Sequence, residues 1–229
     1  MPCSFVRVFK LIKAMNHPAE QPIGLGVLNG GFGRDPFRIL ITTILSQRTR
    51  DENTRRASAQ LFSMYPDVKS LASADEKTVE RLVRPSGFYR TKAKSVISIA
   101  RILLREYGGQ VPSDIDKLLE LPSVGRKTAN CVLAYGFRIP SIPVDVHVHR
   151  IANRLSIVRS KDPEETEKQL REKVDRDYWL ELNEEFVRFG QRVCRPVRPR
   201  CLVCSLKSCC NWYQTNLKAG RRLWSRESN

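Results

Sequence analysis

The chain has 229 residues, 41% of them hydrophobic, which is enough to bury a sizeable core in one domain or two small ones and argues against disorder. Forty Lys and Arg against 24 Asp and Glu leave a formal charge of +16, which points to a polyanionic partner such as nucleic acid more than to a small neutral substrate; a merely solvated basic surface is the plain alternative. No apolar run approaches the ~20 residues needed to cross a bilayer, which excludes an integral helical membrane protein.

Residues 1–16 carry Arg7, Lys10 and Lys13 among apolar side chains, without the continuous hydrophobic stretch or small-residue cleavage site of a secretory signal, and predict an amphipathic helix. A mitochondrial presequence would share that basic, acid-poor character. Apolar residues at helical spacing then follow over 37–47, 53–65, 76–84, 91–107 and 115–121, punctuated by Asp35-Pro36, Tyr65-Pro66, Ser86-Gly87 and Gly108-Gly109. Further helices are predicted over 126–135 and 146–155, with a charged helix or pair of helices over 163–193. No strand pattern competes, so the expected class is all-α. Residues 1–29 lack partners of their own and are expected to pack on the C-terminal helices. The chain then divides into a helical bundle, 30–140, and a discontinuous helical domain, 1–29 plus 141–229. The basic, polar end from Leu217 is expected to fray.

Three stretches carry chemistry. Leu121-Pro122-Ser123-Val124-Gly125-Arg126-Lys127-Thr128-Ala129 ends one helix, turns tightly and opens the next, which directs a helix N-terminus and its amides toward an anion such as a phosphate. Ile142-Pro143-Val144-Asp145-Val146-His147-Val148-His149-Arg150 sets an acid directly before an amphipathic helix, where it can cap free amides. Five of seven cysteines fall between Cys194 and Cys210, a clustering that points to a metal centre in a reducing compartment and away from a disulfide framework. Cys194, Cys201, Cys204 and Cys210, spaced C-x6-C-x2-C-x5-C, can surround one centre, with Cys209 left spare. Spacing alone leaves zinc and iron both open.

These stretches together resemble the endonuclease III family of the helix-hairpin-helix DNA glycosylases over roughly residues 30 to 212. The hairpin departs from the family's L-P-G-V-G-R-K-T-A only at Ser123, Asp145 lies in a V-D-x-H-V sequence, and the cysteine spacing is that of the family's 4Fe-4S loop. The resemblance implies two helical domains with an active-site cleft between them, one ending in the iron-sulfur loop. Lys127 is then the nucleophile: its neutral amine attacks the anomeric carbon, expels the base and forms a Schiff base that permits elimination of the 3′ phosphate. Burial, Arg126 and the helix terminus are expected to favour the neutral amine. Asp145 would stabilise positive charge on the sugar and accept protons, and could cap its helix at the same time.

Flipping a base out of a duplex leaves a gap to be filled. Ser46-Gln47-Arg48-Thr49-Arg50-Asp51 resembles the family segment that supplies the plug, with the register open between Gln47 and Arg48. Gly87-Phe88-Tyr89 resembles a second wedge, for which core packing of Phe88 is an even alternative. Phosphate contacts are expected from Ser123, Val124, Gly125, Arg126 and Thr128 of the hairpin, from His147, and from Arg195, Arg198, Arg200 and Lys207 around the cysteine loop.

Lysine at position 127 favours excision of oxidised pyrimidines of the thymine glycol type. Thymine-mismatch glycosylases of the superfamily usually carry tyrosine there, and adenine glycosylases lack that lysine and commonly extend into another domain. The implied enzyme is a monomeric bifunctional glycosylase and abasic-site lyase of base excision repair, acting on duplex DNA with damaged bases or abasic sites. The alternatives are a mismatch or uracil glycosylase of the same superfamily and a non-catalytic, metal-stapled DNA-binding module; an electron carrier rests on the cysteines alone. Such an enzyme belongs with the nucleoid in a prokaryotic cytoplasm, or in a nucleus or mitochondrion.

Overall fold

A computed structural model describes residues 3–16 and 34–218. Among these residues there are helices, turns and loops and no strand, which is the all-α class expected. Readings that concern residues 17–33 and the end from 219 lie outside the described residues. In chain order the helices are α1 (Phe5–Met15), α2 (Pro36–Ser46), α3 (Asp51–Met64), α4 (Val68–Ala72), α5 (Glu76–Val83), α6 (Tyr89–Glu106), α7 (Ile115–Leu119), α8 (Arg126–Cys131), α9 (Val146–Arg154), α10 (Pro163–Lys173), α11 (Trp179–Arg192) and α12 (Asn211–Lys218).

Much of a scarce acid supply goes to helix starts. Asp35, Asp67, Asp75, Asp114, Asp145 and Asp162 each accept main-chain N–H bonds at the N-terminus of a helix. Each satisfies amides that the helix itself cannot, and each places negative charge at the positive end of the macrodipole. The amide of Ser70 holds the Asp67 carboxyl below the usual carboxylate range, and that of Thr78 does the same for Asp75.

The chain separates into two compact units. One is Ile23–Pro143, the other Met1–Pro22 with Val144–Asn229. The first is built around α2, which buries Phe37, Ile39, Leu40, Ile41, Ile44 and Leu45 and also Thr42 and Thr43. A helix apolar on every side belongs in the middle of a core, and Thr43 Oγ1 meets that environment by donating back to Ile39 O at 2.7 Å. Around it pack α3, α6 and α8, with α4 and α5 against α6. The predicted 126–135 helix keeps α geometry only to Cys131 and continues as a π turn over Val132–Gly136.

In the second unit α1 buries Val8, Phe9 and Ile12 and packs on α11. The Asn16 amide donates to Glu185 Oε2 at 2.6 Å and to Glu185 O at 3.0 Å, and Lys13 pairs with Glu181 at 2.6 Å. The charged 163–193 stretch is a pair of helices, α10 and α11, joined through a 3-10 turn at Arg176–Tyr178. Helix α9 lies against α11 at Gly190, where a Cβ would come within 2.4 Å of His147 Nδ1 and 3.1 Å of Arg150 Nη2. That approach requires glycine.

Cys209 is not spare. It is bonded to Cys3, Cα to Cα 5.4 Å, across a sequence separation of 206 residues. The bond ties the start of the chain to the cysteine loop, a pairing between such distant positions that no local spacing reveals. Cross-links of this kind typically contribute about 2–4 kcal/mol. Thermal unfolding should therefore show Cys3→Ser melting roughly 4–16 °C below the parent chain, with a thiol-free reductant lowering the parent and leaving the variant unchanged. Equal melting of both chains without reductant would contradict the bond.

Candidate active site

The hairpin begins where α7 stops at Leu119. The amide of Val124 donates to Leu121 O at 3.1 Å, closing a turn in which Ser123 takes φ 63°. A non-glycine residue in this region costs roughly 1 kcal/mol or more and needs its surroundings to hold it. Two bonds do so: Ser123 Oγ meets Ser95 Oγ at 2.8 Å, and Ser123 O accepts from Gln47 Nε2 at 3.0 Å. Serine thus takes the backbone conformation natural to glycine and is tied down by side-chain bonds. Gly125 is the N-cap of α8 and brings no side chain to it. Lys127 stands exposed in the first turn of α8, so the burial expected from the sequence is not found. Val124 and Thr128 are buried; the Thr128 amide, in the first turn of α8, is left for a phosphate, while the Val124 amide expected to bind one is spent on Leu121 O.

Asp145 is half-buried and caps α9. Its Oδ1 accepts from both His147 N and Val148 N at 2.9 Å, which leaves Oδ2 available. One turn on, Arg150 donates through Nε and Nη2 to Cys194 O at 3.2 and 2.9 Å, and through Nη2 to Gly190 O at 3.3 Å. His147 packs over Gly190 with Nδ1 at 3.1 Å from Arg150 Nη2. Arg154 donates to Cys194 Sγ at 3.4 Å, Arg195 O at 2.7 Å and Pro196 O at 3.0 Å, with its guanidinium 4.6 Å from the centre of the Trp212 ring. The helix that Asp145 caps is therefore bolted to the start of the cysteine loop by two arginines.

Cys194, Cys201, Cys204 and Cys210 line one cavity, walled by Leu155, Phe189, Val193, Leu206 and Trp212. Burial pushes the Cys201 thiol up to about 11 and Cys204 up to about 12, and it raises Cys210; mutual repulsion with Cys194 adds to each. Four thiols lining one cavity, with ionisation this costly at Cys201, Cys204 and Cys210, fit a bound polycation that deprotonates them outright. The Arg154 guanidinium and the Tyr213 amide, 3.4 Å from Cys210 Sγ, already donate to two of the sulfurs. Among the described residues no three His, Cys, Asp or Glu side chains are arranged to hold a single ion. Lys207 donates to Leu202 O at 2.9 Å within the loop, while Arg195, Arg198 and Arg200 are exposed.

Phe88 is 64% exposed, which removes the core-packing alternative. It has φ 46° and follows Gly87 at φ 63°. Arg48 is exposed at φ 52°, and the neighbouring Gln47 is held by its bond to Ser123 O. The sequence reading missed Lys92. It is 5% exposed and lies in register with the core positions Val96, Ile99 and Leu103 of α6. A lysine at i, with apolar residues at i+4, i+7 and i+11, was the available signal, hidden among neighbouring Arg90 and Lys94.

A family model described as the HhH-GPD superfamily base excision DNA repair protein matches residues 41–176. The endonuclease III of Thermotoga maritima is 50% identical over 180 residues, covering 79% of this chain and 84% of that protein. This chain belongs to the endonuclease III family. Among solved structures, an endonuclease III in a non-covalent complex with DNA superimposes with a TM-score of 0.81 at 29% identity, over 93% of this chain and 96% of that one. A trapped covalent endonuclease III–DNA intermediate with an estranged adenine gives 0.78 at 27% identity, over 94% and 99%. In this endonuclease III family chain, the cap and the charge of Asp145 can be separated, because Asn caps as well as Asp. Asp145→Asn should melt within ~1 °C of the parent, and Asp145→Ala should lose about 1 kcal/mol. Both should lose base excision by roughly 10²–10³-fold. Retained excision in Asp145→Asn would leave Asp145 as a cap alone.

Proposed function

We propose that this chain excises oxidised pyrimidines from duplex DNA, with Lys127 as nucleophile and Asp145 as the assisting carboxylate, and then cuts 3′ of the abasic site. As a member of the endonuclease III family it is a DNA N-glycosylase with abasic-site lyase activity in base excision repair. The observation that carries the assignment of roles is the hairpin itself, with Lys127 exposed in the first turn of a helix that opens on Gly125. The lone pair of Lys127 Nζ attacks C1′. The bond to the base breaks, and the base leaves with its electron pair and takes up a proton. The amine gives up one proton, its lone pair breaks the C1′–O4′ bond, and O4′ takes up a proton, leaving a protonated imine; loss of the C2′ proton to this electron sink then expels the 3′ phosphate with its bonding pair. Asp145 Oδ2, left available by the cap, stabilises the positive sugar and accepts a proton.

Arg48 is the better candidate for the gap, because Gln47 is engaged with the hairpin and Arg48 is exposed. Phe88 is the second wedge, supported by its exposure. Main-chain amides of Ser123, Gly125, Arg126 and Thr128 bind phosphate at the hairpin, with Arg195, Arg198 and Arg200 doing so from the cysteine loop. His147 is a packing residue first, since it lies over Gly190. Cys194, Cys201, Cys204 and Cys210 hold a 4Fe-4S cluster; the half-buried, all-thiol donor set on one cavity and its two N–H donors support this. The cluster's contribution is to fix the loop. The division into a hairpin-bearing bundle, 30–140, and a discontinuous domain of 1–29 plus 141–229 belongs to the same reading.

Duplexes carrying thymine glycol, dihydrouracil, uracil, 8-oxoguanine or mismatched thymine, scored separately for base loss and nicking, test it. The oxidised pyrimidines should be both released and nicked, and Lys127→Gln should abolish nicking. Release of uracil or mismatched thymine in preference would favour the mismatch reading, and salt-sensitive binding without any release would favour the DNA-binding module.

A further inference from the structure

Lys92 is a buried ammonium with no carboxylate among its acceptors. Its Nζ donates to Leu45 O at 2.7 Å, Thr49 Oγ1 at 2.7 Å and Ser86 O at 2.8 Å. Leu45 O is one of the carbonyls left over at the C-terminus of α2, where positive charge is favoured. Thr49 directly follows Arg48. Ser86 ends the 3-10 turn Arg84–Ser86, two residues before Phe88. The Thr49 hydroxyl in turn donates to Ser86 O, so the two loops are also joined directly. Lys92's own amide donates to Phe88 O at 3.0 Å. Ser95, three residues along the same helix, reaches Ser123 of the hairpin at 2.8 Å, and Gln47 reaches Ser123 O. One face of α6 thereby gathers three loops, each holding a non-glycine residue at positive φ: Arg48, Phe88 and Ser123.

Stability alone does not explain a cation here. An apolar side chain of similar length would fill the site without the cost of desolvating a charge. Three main-chain and hydroxyl oxygens converge on one point, and a single side chain that bonds all three at once needs the three donors of an ammonium. Burial lowers Lys92 to about 8, still above neutral pH, so the three-donor form predominates there. The strained conformations at Arg48 and Phe88 persist only where neighbouring structure fixes them.

We infer that Lys92 is a positioning residue for base extrusion, its ammonium locking the Arg48 and Phe88 loops into one rigid double wedge. This rests on the wedge roles proposed above. Extrusion from a duplex then depends on Lys92, whereas imine formation at an abasic site in a single strand, where no partner base has to be replaced, does not.

The test uses the cluster-loaded full chain and Lys92→Met, with Thr49→Val as a second variant that keeps both carbonyl bonds of the ammonium. Single-turnover excision of thymine glycol from duplex should fall on the order of 10- to 100-fold in Lys92→Met, and in the same direction in Thr49→Val, while borohydride trapping on a single-stranded abasic oligonucleotide stays within about twofold. A 2-aminopurine beside the lesion should lose its fluorescence rise on binding. Parallel loss of duplex excision and single-strand trapping would overturn the inference and leave Lys92 a fold residue. Unchanged duplex excision in both variants would also overturn it. Parallel measurements on Arg48→Ala and Phe88→Ala separate the two layers. If they impair duplex excision and Lys92→Met does not, the positioning role fails alone; if they are silent, the wedge assignment fails and takes the positioning role with it.

Discussion

Helix ends and the loops beyond them leave main-chain carbonyls without helical partners, and in this chain buried or half-buried basic side chains satisfy them. Lys92 does so in one unit, closing on Leu45 O and Ser86 O. Arg150 and Arg154 do so in the other, closing on the carbonyls of Gly190, Cys194, Arg195 and Pro196. A cation surrounded by carbonyl dipoles is expensive to bury and more expensive to strand, because removing either side leaves the other without partners. That asymmetry makes the loops stiff. In one unit it fixes residues at positive φ beside the hairpin, and in the other it fixes the helix capped by Asp145 to the loop of four thiols. The excess of Lys and Arg therefore has two uses, a field for a polyanion and an internal set of clamps.

Asp145 serves structure as a cap and, in the proposed mechanism, chemistry as well. Its cap uses a single oxygen for two amides. Asp35 and Asp114 cap in the same way, so the geometry of the cap is common in this chain and the distinction of Asp145 lies in its sequence setting and in what its helix holds. Through Arg150 and Arg154 that helix reaches Cys194. A cluster that shapes the loop would therefore also steady the carboxylate, without taking part in the reaction.

The long helices were legible because their apolar faces repeat at 3.6 residues and their ends carry Asp, Pro and Gly. The hairpin turn and the gathering of four cysteines on one cavity were legible because each rests on residues close together in sequence. What escaped the reading depends on distance or on inversion of a rule. The π turn after Cys131 differs from α-helix only in its hydrogen bonds. The Cys3–Cys209 bond joins the two ends of the described chain. Lys92 sits at an apolar position of an amphipathic helix among other basic residues, and a charge run reads by default as a solvated face. Removing the core-packing alternative for Phe88 needed its exposure, which no pattern supplies.

The central claim, that Lys127 forms the covalent bond to DNA, is tested most directly by mapping the bond. Borohydride reduction during turnover of a thymine glycol duplex, followed by proteolysis and tandem mass spectrometry, should find the reduced sugar on the peptide containing Lys127 and on its Nζ. A sugar attached instead to the chain's N-terminal amine, to Lys92 or to any other lysine would contradict the account.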